Sequence, residues 1–153
     1  MTDSVRTRHP AHDLVGKVLM SYEMPIEWGK IREFARATGS TQPAYDEPDA
    51  VIPPTFLTTS ALWEPTEGPT LVERLGVDLT RVLQGGQEYV FPRGYPRAGE
   101  QLFVEIGVES VTVKEGKRGG AMTFIVVLTT YRRGGAQGEI AAEGRATVIE
   151  RSS

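Results

Sequence analysis

The second half of the chain most constrains its fold, because it contains four successive runs whose composition is typical of β-strands. They occupy residues 83–91, 102–113, 122–131 and 139–150. In the second run Leu102, Val104 and Ile106 alternate with other residues, which predicts a strand with one apolar face. The third run is apolar on both faces, as a central strand is. Glycine pairs at 119–120 and 134–135 flank that run, so we predict an antiparallel meander.

The first half of the chain contains one strand-like segment and two helix-like segments. Residues 17–24 alternate as in a strand, and residues 26–38 have apolar side chains at helical spacing before Gly39, a typical C-terminal cap. A loop at 40–53 leads into a mostly apolar second helix at 54–63, which we expect to be buried on most sides. Together these segments predict an α+β domain in which an antiparallel curved sheet wraps around the central apolar helix.

Composition excludes several classes of site and partner. At 153 residues the chain is long enough for one core, so we predict a single domain over 15–153 after a flexible tail over 1–14. The net charge of -3 and the lack of a long apolar run argue against nucleic-acid and membrane partners. The absence of cysteine fits a reducing cytoplasm and excludes thiolate sites; we expect no metal and no cofactor. His9 and His12 both fall in the predicted tail, so chemistry within the domain needs carboxylates, hydroxyls or another chain.

Three motifs carry a resemblance to a known family. They are Gly-Ser-Thr-Gln-Pro-Ala-Tyr at 39–45, Ile-Pro-Pro-Thr-Phe at 52–56, and a region from 81 to 87 that continues at 96–102. In this order they resemble the MaoC-like dehydratase N-terminal family, which supplies partner subunits of (R)-3-hydroxyacyl thioester dehydratases. The resemblance implies a hot dog fold whose sheet surrounds the 54–63 helix. A sheet of this size keeps an edge, so we expect a second copy or a homologous chain to cover it.

The resemblance also shows which catalytic groups are missing. Catalytic family members carry a Gly-Asp-x-Asn-Pro-x-His loop, and here Ser40 stands in place of the Asp and Tyr45 in place of the His. Dehydration needs one base for the proton beside the thioester carbonyl and one acid for the leaving hydroxide. A serine hydroxyl is too weak a base without an activator, and a phenol with a pKa near ~10 is a poor base at neutral pH. Ser40 and Tyr45 are therefore degenerate positions, and we assign no catalytic residue.

Candidate substrate-binding residues follow from the same resemblance. They are Gln42, Tyr45, Pro54, Thr55, Phe56 and Trp63. The chain departs from the family pattern in having only six residues between Tyr45 and Ile52, and Gln84 in place of a frequent His. Thr55 stands where catalytic members have a glycine that binds the thioester oxygen, and the two preceding prolines have no N–H to donate. We expect the substrate entrance and the oxyanion site to differ accordingly.

Several other side chains allow two interpretations. The tryptophans Trp28 and Trp63 can wall an acyl tunnel or belong to an ordinary core. Basic residues near predicted turns can meet the phosphates of coenzyme A or of a carrier-protein arm, or can simply be solvated. These residues are Arg93, Arg97, Lys114, Lys117, Arg118, Arg132 and Arg133.

Three functions remain open from sequence. The first is a hot dog subunit of an (R)-specific enoyl-thioester hydratase or 3-hydroxyacyl-thioester dehydratase, which binds the acyl chain of an acyl-CoA or acyl-carrier-protein thioester while a homologous partner supplies the Asp and His. The second is a homodimeric acyl-thioester or lipid-binding module without catalysis. The third is a self-sufficient hydratase or thioesterase that uses Asp46, Glu47 or Tyr45.

Overall fold

The computed structural model describes residues 8–116 and 120–152, which form one antiparallel sheet with short helices. The strands are β1 (Val18–Pro25), β2 (Val82–Val90), β3 (Gln101–Glu115), β4 (Ala121–Arg133) and β5 (Glu139–Arg151). The α-helices are α1 (Trp28–Ala37) and α2 (Leu71–Leu75). The 3-10 helices are Pro10–Leu14, Pro43–Asp46, Phe56–Trp63 and Leu79–Arg81.

The five strands lie in the order β1-β3-β4-β5-β2, and every neighbouring pair is antiparallel. The predicted four-strand meander is confirmed for β3, β4 and β5 and is wrong for β2, which does not pair with β3. The strand β2 precedes the meander in the chain but pairs with β5, so β1 and β2 are the two edges. All five strands begin and end within two residues of the predicted positions, because alternation sets both the strand and its buried face.

The core lies between the inner face of the sheet and the first-half helices. Leu102, Val104 and Ile106 are buried, as the alternation predicts. The helix α1 contributes Phe34, whose ring meets the fully buried Phe56 edge-to-face with centroids 5.6 Å apart. Gly39 ends this part of the chain with φ of +75°, a value that favours glycine, and its N–H donates to the carbonyl of Arg36. The contact of Phe34 with Phe56 places α1 beside the start of the Phe56–Trp63 helix.

The segment predicted as the central apolar helix is shorter and tighter than expected. It is a 3-10 helix that begins at Phe56, where Phe56, Leu57 and Ser60 are buried. The prediction that it is buried on most sides is wrong for Leu62, whose side chain is 73% exposed. Leu57 and Ser60, three residues apart, lie on the inward face of the 3-10 helix, whereas Leu62 lies in its last turn, where the chain leaves the core. The exposed Leu62 is an apolar surface that the single chain does not cover.

Part of the segment expected as a flexible tail is packed on the domain. Residues 1–7 lie outside the described residues, but Pro10–Leu14 forms a 3-10 helix and Ala11 is fully buried. The side chain of His9 reaches Glu150 at the end of β5, with Nε2 to Oε2 2.7 Å. Burial of Ala11 and this bond account for the order of a polar segment that sequence patterning does not predict.

Candidate functional site

The loop after α1 holds Ser40 in a local turn. The Ser40 backbone N–H donates to the carbonyl of Ala35 over 2.8 Å, and its Oγ accepts from the N–H of Gln42 at 3.3 Å. Its hydroxyl therefore serves the turn, and no described acid or base activates it. Tyr45 lies in the Pro43–Asp46 helix with its half-buried ring against the core, while Gln42 is exposed.

The carboxylates beside Tyr45 belong to the surface. Asp46 Oδ1 accepts from Arg32 Nε at 3.0 Å and lies 3.5 Å from Arg36. Arg32 in turn stacks over the ring of Trp28, with its guanidinium 4.8 Å from the centroid. Glu47 is exposed. Asp46 thus joins a charged surface cluster on α1 that includes Trp28.

The Ile52–Phe56 motif enters the core and then emerges at the helix start. Ile52 is buried and donates its N–H to Pro96 O over 2.9 Å. Pro54 and Thr55 are exposed, whereas Phe56 is fully buried. The Phe56 N–H donates to Pro53 O at 2.9 Å. The backbone N–H at this helix start that is not used in that turn is therefore the N–H of Thr55. Of the predicted substrate-binding residues, Phe56 is a core residue in this structure, while Trp63 packs partly buried against the same core.

A buried polar cluster lies under the Phe56–Trp63 helix and includes residues that sequence analysis did not single out. Register pairs Tyr22 of β1 with Val104, and Val104 with Tyr131 of β4, so both phenols occupy one row across the inner face. The Tyr131 hydroxyl lies 3.1 Å from Ser60 Oγ and donates to the carbonyl of Leu57 at 3.3 Å. These bonds attach the helix to the middle of the sheet.

Tyr89 of the edge strand β2 reaches the same cluster from the neighbouring row. It pairs with Gly144 of β5, and a Cβ at Gly144 would lie 2.9 Å from the Tyr89 ring and 3.7 Å from the Tyr131 ring. Only a residue without a side chain leaves room for the Tyr89 ring at this point. The inward position of Tyr22 and Tyr131 follows from strand alternation, but their meeting with Ser60 depends on long-range pairing, which has no local signal.

Burial makes these phenols stay protonated. It raises the pKa of Tyr22 to about 12, against a smaller lowering from the nearby Ser60, with which Tyr22 forms no well-aligned hydrogen bond. Burial also raises the pKa of Tyr89 to about 12 and the pKa of Tyr131 well above its usual value. Burial likewise raises the pKa of the half-buried Glu64 carboxyl at the end of the helix. At neutral pH the tyrosines are hydrogen-bond donors rather than bases.

A histidine–carboxylate pair occurs elsewhere in the described chain, but its bonding leaves it structural. Glu150 is 7% exposed and accepts from His9 Nε2 and from the N–H of Asp78, both at 2.7 Å. The other imidazole nitrogen, Nδ1, accepts from the N–H of Ala11 at 3.0 Å. This assigns the proton of a neutral imidazole to Nε2 and occupies both nitrogens. A general base needs one ring nitrogen free for substrate, so this pair lacks the arrangement of a catalytic dyad.

Among the described basic residues near the turns, Arg93 and Arg133 share the carboxylate of Glu139, at 3.9 and 3.5 Å, whereas Lys114 lies at the other end of β3. Arg133 pairs with Glu100 at 2.7 Å, and Arg97 donates to the carbonyl of Asp49 at 3.0 Å. Lys114 lies over the ring of Phe124, at 4.8 Å. The remaining ones are Arg93, which lies 3.9 Å from Glu139, Arg132, which donates to the carbonyl of Gly138, and Lys117 and Arg118, which lie outside the described residues.

The site therefore has the frame of an active-site loop and an inner face of phenol and hydroxyl donors. Within residues 8–116 and 120–152, no group of three or more His, Asp or Glu side chains is placed to hold a metal ion. In the same ranges, no helix is both long and apolar enough to cross a bilayer. The cytoplasmic location stays a prediction. Such a site can bind and orient a polar group, but the loop lacks the acid and base that elimination of water requires.

Comparison with known proteins supports the same interpretation of the fold. A family profile described as "FAS1-like, dehydratase domain region" matches residues 13–142. The chain is 31% identical over 155 aligned positions to the UPF0336 protein Franean1_6066 of Parafrankia sp., covering 92% of this chain and 94% of that protein. It is 37% identical over 106 residues to the UPF0336 protein SCO4636 of Streptomyces coelicolor, covering 60% of this chain and 67% of that protein.

Solved structures give the architecture. The HadBC (3R-hydroxyacyl-ACP dehydratase) complex of Mycobacterium tuberculosis superposes with a TM-score of 0.66 at 23% identity, covering 91% of this chain and 98% of that chain. A MaoC-like dehydratase from Rhodospirillum rubrum gives a TM-score of 0.62 at 18% identity, with 91% and 93% covered. The predicted hot dog fold, with its curved antiparallel sheet, is thereby confirmed.

Proposed function

The chain belongs to the FAS1-like dehydratase-region family of MaoC-like proteins, and from this premise we propose that it is a non-catalytic subunit of an (R)-specific enoyl-thioester hydratase or 3-hydroxyacyl-thioester dehydratase. It binds the acyl chain of a coenzyme A or carrier-protein thioester, and a homologous hot dog subunit supplies the Asp and His. One observation carries the proposal: Ser40 and Tyr45 replace the acid–base pair, and the hydrogen bonds of Ser40 to described residues lie within its own turn.

Uncovered apolar surface supports the need for a partner subunit. The edge strand β2 is exposed along most of its length, and Leu83 within it is 50% exposed. An unpaired edge offers a row of backbone donors and acceptors to another strand. Leu62 on the Phe56–Trp63 helix is 73% exposed. The described structural relatives include a HadBC complex and a ChsH1-ChsH2 complex, the latter with a TM-score of 0.65 at 19% identity. We expect a homologous chain to cover these surfaces.

Substrate contacts are assigned to the exposed part of the motif region. Thr55 and Pro54 at the helix start, Gln42 in the loop and the half-buried Tyr45 and Trp63 are accessible in a way that the core residue Phe56 is not. Thr55 supplies the backbone N–H nearest the helix start, where a thioester oxygen is held in the catalytic relatives that the sequence resembles.

The test is co-expression with a homologous chain that carries the Gly-Asp-x-Asn-Pro-x-His loop. Hydration of crotonyl-CoA and of longer enoyl thioesters is followed by the loss of the conjugated enoyl absorbance. We expect negligible turnover by this chain alone and at least roughly a hundredfold more by the pair, since positioned acid–base groups contribute about 10²- to 10⁴-fold. Replacing the partner's loop Asp by Asn should abolish that gain.

A matched pair of variants tests the substrate contacts. Thr55→Arg places a bulky side chain at the exposed helix start and should lower the rate of the pair, whereas Thr66→Arg, at another exposed threonine, should not. Robust turnover by the lone chain would refute the division of labour. If Asp46→Ala with Glu47→Ala then removed that turnover, those carboxylates would be the catalytic groups. Failure to form a complex, together with thermal stabilisation of a homodimer by acyl thioesters, would instead favour the binding module.

A further inference from the structure

A cavity among the described residues lies away from the proposed site. It has a volume of about 990 Å³ and is bounded by the ends of β3, β4 and β5 and by residues 8–12. Its walls include Val113 near the end of β3, whereas the Gly39–Tyr45 loop follows α1 at the other end of that strand, where Ile26 bonds to Glu100. The volume is that of a small-molecule site, for which about 300–1,000 Å³ is usual.

The cavity exists because the inner face of the sheet extends beyond the helix that covers it. Val111 and its partner Ile125 still pack in the core, but the next inward pair, Val113 and Thr123, lines the cavity instead. The segment around Pro10 closes one side and is anchored by the buried Ala11. The site is thus a built concavity with a partly apolar wall, held by the N-terminal segment.

The one buried acid in its wall is already neutralised. Glu150 accepts from His9 and from the N–H of Asp78, and lies 3.3 Å from Arg81. Its charge is therefore met within the wall. Glu115 also borders the cavity, at its outer end.

Cationic and hydroxyl donors line the remaining polar surface. Arg8 has one ion pair within the described chain, with Asp13 at 3.4 Å, and both side chains are more than half exposed, so the pair is weak. Arg151 is exposed and forms no ion pair with a described residue. Ser152 Oγ accepts from the N–H of Ala121 at 2.9 Å, which leaves its O–H to donate. Two guanidinium groups and a hydroxyl thus line the same cavity, together with the carboxylate of Glu115.

We propose that this cavity binds an organic phosphate, with the phosphate group on Arg8, Arg151 and Ser152 and the organic part on Pro10 and Val113. A phosphate presents three terminal oxygens to donors from different directions, and guanidinium groups bind it bidentately. A carboxylate has two oxygens in one plane and satisfies fewer of these donors. The site is independent of the proposed dehydratase role, because it uses neither the loop after α1 nor the partner surface.

The experiment is calorimetric titration of the full chain with phenyl phosphate, and with benzoate, phenol and inorganic phosphate in separate runs. We expect saturable binding of phenyl phosphate, weaker binding of inorganic phosphate and of benzoate, and none of phenol. Arg151→Gln should lower the affinity for phenyl phosphate roughly tenfold or more, which is the loss typical of a charged hydrogen bond. Arg93→Gln is the matched control, because Arg93 is also exposed but does not line the cavity; the affinity of this variant for phenyl phosphate should stay within about twofold of the original.

A second variant tests the apolar wall without removing charge. Val113 is 44% exposed, so Val113→Trp should fold normally and obstruct the organic part of the ligand. This variant should weaken the binding of phenyl phosphate and leave the binding of inorganic phosphate unchanged. No saturable heat with phenyl phosphate at about 10 mM would overturn the proposal, since even a millimolar Kd would be visible. Tighter binding of benzoate than of phenyl phosphate would overturn the proposal as well. So would an equal loss of affinity in Arg151→Gln and Arg93→Gln, because it would indicate charge attraction without a site.

Discussion

Two buried tyrosines should respond in opposite directions to the loss of one oxygen atom. The Tyr131 hydroxyl lies 3.1 Å from Ser60 Oγ and donates to Leu57 O, and the residue is 2% exposed. Tyr131→Phe leaves a buried serine hydroxyl and a buried carbonyl without this partner, which costs about 1–3 kcal/mol of unfolding free energy. Tyr22 is 8% exposed, and its hydroxyl has no hydrogen-bond partner among the described residues. Tyr22→Phe removes an unsatisfied polar group and should be neutral or stabilising by up to about 1 kcal/mol.

Urea unfolding followed by tryptophan fluorescence measures both variants under the same conditions. The midpoint should fall for Tyr131→Phe and stay or rise for Tyr22→Phe, with the slope m unchanged in each. In a thermal scan each kcal/mol corresponds to about 2–4 °C for a chain of this size. The two variants are chemically identical and lie in one cross-strand row, so packing effects are closely matched. Equal destabilisation by both would refute the assignment of a bonded and an unbonded phenol.

Three further predictions concern pH, the sheet and the surface. The folded pKa of Tyr22 is about 12 and its ordinary value is 10, so the unfolding free energy should fall as pH rises from about 10 to about 12. In alkaline unfolding curves, Tyr22→Phe should reduce that slope by at most about 1.4 kcal/mol per pH unit. Gly107→Ala should destabilise the folded protein by about 1–3 kcal/mol, because its Cβ would meet Lys17 O at 2.6 Å. Gly86→Ala, whose Cβ would meet nothing within 4 Å, should be neutral or stabilising in the same assay. Asp46→Asn should change stability by less than about 1 kcal/mol and leave the hydration rate of the co-expressed pair unchanged; a large rate loss would contradict its surface role.

Local sequence patterns predict most of the secondary structure of this chain. The five strands could be read from alternation, and Gly39 marked the end of α1, because both depend on neighbours within a few residues. The position of β2 beside β5 could not be predicted from the sequence, because pairing between residues about sixty positions apart produces no local sequence pattern. The bond of His9 to Glu150 spans the chain in the same way. Ser40 and Tyr45 could be placed in their loop by motif, whereas the contact of Tyr131 with Ser60 needed the folded sheet.

The place of β2 in the sheet has a consequence for synthesis of the protein. Among the described residues its strand partner is β5, which ends at Arg151, about sixty residues after Val90. At roughly 5–20 residues per second, β2 waits about 3–12 s with both of its edges unpaired. We expect nascent chains stalled before β5 to be cleaved by protease within β2, and chains released after it to be protected there. The partly apolar β2 segment therefore stays without a strand partner until β5 has been synthesised.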